Sequence, residues 1–480
     1  MTGSTKEAAA LSFATQISTK IINFGLSVLF VRLAPSNCIG YFTLLIAAAQ
    51  LVCSLGRVGT NYSYAVLLPK QSSSKDCSKL TATYSLFGLA ASATVSAVAM
   101  LQLANSGGMP EAFESNRILL SGLTLTYLIG DSLSETIWSI HLATGNFKAV
   151  FLRDVWVALA KGALPLVGSV TIGPAGIVGG LVIVSAFNCQ IALGLLRRHQ
   201  GIGESPWLRS GFLQPSLYSW SLFKQLMLKG IPFFSVPLVA NIILWPLLMN
   251  YVSTAGISSL DGLRVAQICS QAIGIISASL IPVLLIRSSH DEGEGERMHK
   301  RSFQLCWITS MLIFSLYSLS DTTILPILFG AGAKHSITIA RIFVAAAAVQ
   351  GLSQIPMQRP LSTATLVRLS LLQVGSLLVA AFVAIHAFEP QADLLAYASI
   401  TLLSPLITVL CLPALLGGSL VPANTALMPQ IGASAILVGS CYLPPTGILP
   451  MLVIGICTMM IIACNRDLFP QLLTRLRGSH

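Results

Sequence analysis

Long apolar segments run along the chain from end to end and are separated by short polar connections. Each is roughly 18 to 25 residues long, which suits a helix that crosses the hydrocarbon core of a bilayer. Because backbone N–H and C=O groups must be paired internally in hydrocarbon, these segments are predicted to be α-helices. The pattern predicts fourteen spans, at 9–32, 39–67, 80–103, 117–143, 150–170, 175–196, 226–251, 261–287, 303–325, 336–357, 367–388, 394–416, 429–444 and 447–464.

The composition agrees with this pattern. Of the 480 residues, 54% are hydrophobic and only 9% are charged, whereas a soluble domain carries about 25% charged residues. The fold class predicted is therefore an all-α integral membrane protein. The net charge of +11 would suit a nucleic-acid partner. The charges lie in the short connections, however, where they set membrane orientation, and so no nucleic-acid partner is predicted.

The basic residues predict the orientation of the chain. Most of the 28 Lys and Arg residues fall in alternate connections, and positive charge gathers in short loops on the cytoplasmic side. Both termini are therefore predicted to be cytoplasmic, Arg153 is assigned to a cytoplasmic segment, and the last two short spans are both expected to cross. The expected location is the inner (plasma) membrane.

One long polar connection divides the chain. It lies at 197–225 and contains glycine, proline and tryptophan residues between the sixth and seventh spans. Four regions are predicted: an N-terminal six-helix lobe at 1–196, a cytoplasmic linker at 197–225, a C-terminal six-helix lobe at 226–416, and two extra transmembrane helices with a cytoplasmic tail at 417–480.

Polar residues inside three of the spans follow helical spacing, so that each set forms a stripe on one helix face. The sets are Gln16, Lys20 and Asn23; Gln50, Ser54, Arg57 and Asn61; and Arg264, Gln267 and Gln271. A charge in the bilayer core is costly and normally faces protein or a water-filled cavity. A cation in each stripe therefore predicts a common basic cavity. Such a cavity attracts polyanions, arginine suits phosphate oxygens, and the amides suit sugar hydroxyls.

Two interpretations stay open for the charges of the fourth and fifth spans. Asp131 and Glu135 lie one turn apart and could form salt bridges with Lys161 or Lys20. Alternatively, Lys161 faces the cavity, and the two carboxylates bind H⁺ or Na⁺ as a coupling ion. No HExxH pattern and no GxxxxGK[ST] loop is present. No catalytic residue, metal site or cofactor is predicted, and ATP is not expected to drive the chain directly.

Several short motifs, spread over about residues 10–415, resemble those of polysaccharide flippases in the multidrug/oligosaccharidyl-lipid/polysaccharide (MOP) exporter superfamily. In order along the chain they are Val31–Pro35 (VRLAP), Gly40–Phe42 (GYF), Ser54–Gly59 (SLGRVG), Thr144–Lys148 (TGNFK), Leu328–Gly330 (LFG) and Ile339–Ile342 (IARI). Ala34-Pro35 departs from the Gly-Pro that is usual in that family. The chain is also similar to the lipid II flippase branch, in which a thirteenth and a fourteenth span occur.

This resemblance implies two six-helix lobes that open alternately to each side of the membrane. It also implies cavity cations on the first, second and eighth spans, at the places of Lys20, Arg57 and Arg264. The expected function is translocation of a polyprenyl-pyrophosphate-linked oligosaccharide from the inner to the outer leaflet. Expected partners are that substrate, membrane lipids, and glycan-assembly proteins such as a polysaccharide polymerase.

On this hypothesis two sets of side chains contact the substrate. The residues predicted to bind pyrophosphate are Arg57, Arg264, Lys20 and Lys161. The residues predicted to line the cavity against sugars are Gln16, Asn23, Gln50, Asn61 and Gln267.

Two other functions compete with the flippase. The first is a cation-coupled multidrug exporter of the same fold, which requires an acidic cavity, whereas the first two spans carry no carboxylate. The second is a membrane enzyme of glycan assembly. Such enzymes carry a large extracytoplasmic loop, whereas the predicted outside loops are all short, the longest being about 104–116.

Overall fold

The structure is a computed structural model. It describes residues 2–71, 73–105, 116–144, 147–198, 213–271, 273, 292–354, 363–388, 393–416, 427–443 and 448–464. Within these ranges all regular structure is helical. The prediction of an all-α chain is confirmed, and each of the fourteen predicted spans has helix among its described residues.

Nine helices occupy the described part of the first half of the chain. They are α1 (Thr2–Leu33), α2 (Ser36–Arg57), α3 (Thr60–Leu67), α4 (Ser74–Asn105), α5 (Arg117–Ala143), α6 (Phe147–Thr171), α7 (Pro174–Arg198), α8 (Trp220–Ala255) and α9 (261–271). Residues 199–212 of the predicted linker at 197–225 lie outside the described residues. Its last part is described, and α8 begins there, at Trp220.

Six further helices follow among the described residues. They are α10 (Glu292–Phe329), α11 (Ile337–Gln354), α12 (Thr363–Ala387), α13 (Asp393–Leu416), α14 (Leu427–Gly439) and α15 (Ile448–Cys464). In the described part of the chain, eight helices are long and apolar enough to cross a bilayer, judged by length and composition. The last two helices are apolar but shorter.

The chain separates into two compact units. Unit 1 contains Met1–Arg264 and Phe388–Tyr397, and unit 2 contains Val265–Ala387 and Ala398–His480. In unit 1, α6 packs against α1 and α7, and α5 packs against α2, α4 and α7. The two lobes, the linker and the two extra helices predicted from sequence stay predictions.

Close packing between α6 and α7 depends on glycine. A Cβ atom on Gly168 would lie 2.2 Å from the Gly176 carbonyl oxygen, and a Cβ on Gly176 would lie 2.1 Å from the Gly168 carbonyl oxygen. Only residues without a side chain allow two helix backbones to approach this closely. The contact fixes the position of α6 against α7. This matters for the site because α6 carries several charged residues.

The second predicted span is not one helix. It was predicted as continuous over 39–67, but α2 ends at Arg57 and α3 begins at Thr60. Between them Val58 and Gly59 adopt left-handed conformations, with φ of 48° and 67°. Left-handed residues end an α-helix. The predicted stripe from Gln50 to Asn61 is therefore interrupted, and Asn61 belongs to a different helix from Arg57.

Unit 2 has a buried polar link between α10 and α11. Arg341 donates to both carboxylate oxygens of Asp321, and both residues are buried. Trp307 of α10 also donates from Nε1 to Ser434 Oγ of α14 across 2.8 Å. The last helices are thus tied into the packing of this unit.

Candidate functional site

Arg57 ends α2 and lies at the break between α2 and α3. The Thr60 hydroxyl donates to the Arg57 carbonyl oxygen across 2.5 Å. Gly59 lies against α8, and a Cβ atom there would be 2.5 Å from the Gly230 carbonyl oxygen. The unpaired carbonyl groups at a helix C-terminus favour a positive charge. The break therefore places Arg57 where its charge is favourable.

A charge cluster lies where α2, α5 and α6 meet. We define it as Arg57, Asp131, Glu135, Arg153, Asp154 and Lys161. Lys161 donates from Nζ to Asp131 Oδ1 across 2.5 Å. Arg153 donates to Glu135 and also, from Nη1, to Asp154 Oδ1 across 3.0 Å. Arg57 Nη2 lies 4.0 Å from Glu135 Oε2.

The charge cluster is electrically balanced, with three cations and three carboxylates among its members. Every cation in it has a carboxylate within ion-pair distance. The salt bridge that the sequence left open for Lys161 is therefore present, with Asp131 as its partner. Breaking such a buried pair leaves an uncompensated charge, so the pairs hold α5, α6 and the end of α2 together.

A polar cavity of about 280 Å³ adjoins the cluster in unit 1. We call it the α1–α6 cavity. Its lining residues come from α1, α5 and α6 and are Thr19, Asn23, Glu135, Arg153, Asp154, Val157, Ala158 and Lys161. Asn23, one of the residues predicted to contact sugars, lines this cavity.

Arg264 differs from the cluster arginines. It is 7% exposed, donates from Nη2 to Ser27 Oγ across 2.9 Å, and lies over the Phe42 ring at 5.0 Å. Its Nε is buried without a hydrogen-bond partner. Among the described residues no carboxylate lies within ion-pair distance of it. Arg264 is thus a buried cation that no described carboxylate compensates.

The remaining predicted residues occupy different environments. Lys20 is partly buried and makes no ion pair with a described residue, while Asn61 and Gln267 are partly buried. Gln50 is exposed, and the Gln16 side chain lies outside the described residues. The assignments of all these side chains to a substrate stay predictions.

Sequence analysis missed two members of the charge cluster. Arg153 was predicted to lie in a cytoplasmic segment and was not among the site residues; it is 8% exposed and lies within α6. Asp154 was not considered. The sequence did contain a signal for Arg153. Arg153, Val157 and Lys161 follow one another at intervals of four residues and therefore share one helix face. Extending the stripe analysis into the first turn of the fifth span would have found it.

Comparison with known proteins identifies the fold. No family model and no curated protein matches the sequence. The chain has the fold of multi-span transporters of the MOP superfamily, and the predicted resemblance is confirmed at that level. The all-α, multi-pass membrane architecture of about 14 spans is confirmed with it.

Individual solved structures match over nearly the whole chain. The lipid II flippase MurJ in an inward closed conformation is 13% identical, with 96% of this chain and 100% of that chain covered and a TM-score of 0.59. A mutant of the Vibrio cholerae MATE transporter VcmN is 14% identical, with 86% and 98% covered and a TM-score of 0.55. An outward-facing multidrug resistance MATE family transporter is 13% identical, with 85% and 94% covered and a TM-score of 0.56.

These structures are of a flippase and of transporters, not of enzymes. At this level of identity the likeness establishes the fold. Function has to be argued from the residues of the chain itself.

Proposed function

We propose that this protein is a flippase that carries a polyprenyl-pyrophosphate-linked oligosaccharide from the inner to the outer leaflet by alternating access. The single observation that supports it most is Arg264, a buried cation without a described carboxylate partner. An uncompensated buried charge costs several kcal/mol. In a membrane protein such residues mark substrate or ion pathways, and a pyrophosphate would supply the missing negative charge.

Lys20 is the second candidate for the phosphate, because it too lacks an ion pair among the described residues. Arg57 and Lys161 differ from it, since each has a carboxylate nearby. For them to bind pyrophosphate, the anion would have to compete with Glu135 or Asp131. We therefore place Arg264 and Lys20 first among the predicted phosphate ligands and keep Arg57 and Lys161 as secondary candidates.

A cation-coupled multidrug exporter is the alternative, and the likeness to MATE transporters is as consistent with it. A cationic drug needs a carboxylate that is free to pair with it. In the charge cluster Asp131, Glu135 and Asp154 each already pair with a cation. Asp131 and Glu135 were also predicted to bind H⁺ or Na⁺. A coupling ion would have to compete with the same cations, and this role stays a prediction.

Transport by the purified full chain in proteoliposomes tests the proposal. The probe is a polyprenyl pyrophosphate that carries a fluorescent oligosaccharide, and the readout is its exposure to an impermeant quencher. We expect Arg264→Gln to slow translocation at least about tenfold, since a hydrogen bond to a charged group is worth about 1.5–3 kcal/mol. Lys20→Gln should also slow it.

Lys334→Gln is the matched control, because it removes one positive charge from an exposed position. It should translocate the probe at the wild-type rate. Unchanged rates in both Arg264→Gln and Lys20→Gln would contradict the phosphate assignment. Ion-driven extrusion of ethidium, with no movement of the glycolipid, would support the multidrug exporter instead.

A further inference from the structure

The α1–α6 cavity has two charged ends. Along α6 the lining begins with Arg153 and Asp154, continues with Val157 and Ala158, and ends with Lys161. These positions cover two helical turns, or about 12 Å at 1.5 Å per residue. Asn23 and Thr19 of α1 supply an amide and a hydroxyl to the same cavity. Val157 and Ala158 are each only 7% exposed, so the cavity presents mainly hydrogen-bonding groups and suits a polar ligand.

The size of the cavity limits the ligand. At about 280 Å³ it lies just below the range of about 300–1,000 Å³ for sites that hold drug-sized molecules. One monosaccharide ring fits this volume, and an oligosaccharide does not. A single pyranose ring also suits this lining, since its hydroxyls point outward around the ring and can bond to polar groups on several sides.

The charges of the cavity favour a neutral ligand. Glu135 and Asp154 are partly open to it, with side chains 27% and 41% exposed, and Lys161 is 24% exposed. An anion entering the cavity would meet these two carboxylates, and a cation would meet Arg153 and Lys161. A hydroxyl group both donates and accepts hydrogen bonds, so it pairs with either sign of charge without disturbing the balance of the cluster.

We propose that the α1–α6 cavity is a subsite for one neutral pyranose ring of the lipid-linked substrate, an assignment that rests on the proposed flippase function. The ring lies along the part of α6 between Asp154 and Lys161. Its hydroxyls bond to Asp154 at one end, to Lys161 at the other, and to the Asn23 amide. Sugar recognition is thereby separated from the phosphate, which is assigned to Arg264 and Lys20.

Binding of two probes to the purified full chain tests this subsite. One is polyprenyl pyrophosphate, and the other is the same lipid bearing a single N-acetylglucosamine. We expect wild type to bind the glycosylated lipid about tenfold more tightly, equivalent to one hydrogen bond to a charged group. Asp154→Asn and Asn23→Ala should each reduce this ratio towards one without weakening binding of the bare lipid. Arg264→Gln should weaken both lipids and leave the ratio unchanged.

The outcomes separate the two proposals. Equal affinity of wild type for both lipids, or a preference that survives in both Asp154→Asn and Asn23→Ala, would overturn the sugar subsite while leaving the flippase proposal intact. Failure of wild type to bind either pyrophosphate lipid more tightly than polyprenol would overturn both. The variants are conservative, and retention of the wild-type affinity for the bare lipid shows that they are folded.

Discussion

Lys161 on α6 donates a hydrogen bond to Asp131 on α5 across 2.5 Å, and Asp131 is buried. The sequence alone was equally consistent with two roles for Lys161: a cation facing the cavity, or the salt-bridge partner of a carboxylate on the neighbouring helix. Its position explains why α5 carries charge in an otherwise apolar span, because each charge of the pair reduces the cost of burying the other.

Removing Lys161 alone should destabilise the protein. In Lys161→Met the Asp131 carboxylate stays buried without its cation, which costs about 3–5 kcal/mol. The double variant Lys161→Met/Asp131→Leu should recover most of that loss. Thermal unfolding of the purified protein in detergent measures both. A Lys161→Met protein as stable as wild type would show that the pair does not stabilise unit 1.

Arg153 is predicted to need its guanidinium and not only its charge. Two of its nitrogens donate to different carboxylates, Glu135 and Asp154, and its Cζ atom lies 5.5 Å from the centroid of the Trp138 ring. A lysine ammonium does not reproduce this planar fork. We expect Arg153→Lys to destabilise the protein by about 1.5–3 kcal/mol, the value of one hydrogen bond to a charged group.

The matched control for that substitution is Arg368→Lys, which makes the same exchange at an exposed position near the start of α12. Its melting temperature should stay within the error of wild type. Equal melting temperatures for the two variants would mean that charge alone suffices at Arg153.

The break between α2 and α3 should depend on Gly59. Its φ is 67°, and an added Cβ would meet the Gly230 carbonyl oxygen at 2.5 Å. The left-handed conformation alone costs a residue with a Cβ about 1–2 kcal/mol, so Gly59→Ala should be destabilising by more than that.

Gly25→Ala provides the contrast, because Gly25 lies within α1 with nothing within 4 Å of an added Cβ. Alanine is favoured over glycine in a helix by about 0.8–1.0 kcal/mol, and the variant should be as stable as wild type or more so. If Gly59→Ala matched Gly25→Ala in thermal unfolding, the close approach to α8 would not be a constraint.

The helices were predictable because the length of an apolar segment indicates directly whether it can span the bilayer as a helix. All fourteen predicted spans coincide with helix in their described residues. The break inside the second span was not predictable, because glycine in Ser54–Gly59 is tolerated within helices as well as at their ends. The backbone that lies against the left-handed turn belongs to Gly230, which is distant in sequence, and this contact is not visible in the local pattern.

The polar stripes of the candidate site could be predicted from the sequence, but the residues on other helices that pair with them could not. Spacing along one helix shows which residues share a face, so Lys20, Arg57 and Arg264 could be proposed from sequence. Pairing between helices is set by tertiary packing. The salt bridge of Lys161 therefore stayed one of two alternatives, and Asp321 was not recognised as the partner of Arg341.

Arg264 and Arg341 are both buried, and opposite responses are expected on removing their charge. Arg341 donates to Asp321, so Arg341→Gln leaves a buried carboxylate uncompensated and should destabilise the protein by about 3–5 kcal/mol. Arg264 has no described carboxylate partner, and Arg264→Gln removes a costly buried charge. We expect its melting temperature to equal or exceed that of wild type while glycolipid translocation falls. Loss of stability in Arg264→Gln comparable to that in Arg341→Gln would mean that Arg264 holds unit 1 together, and its assignment to the substrate would then have to be abandoned.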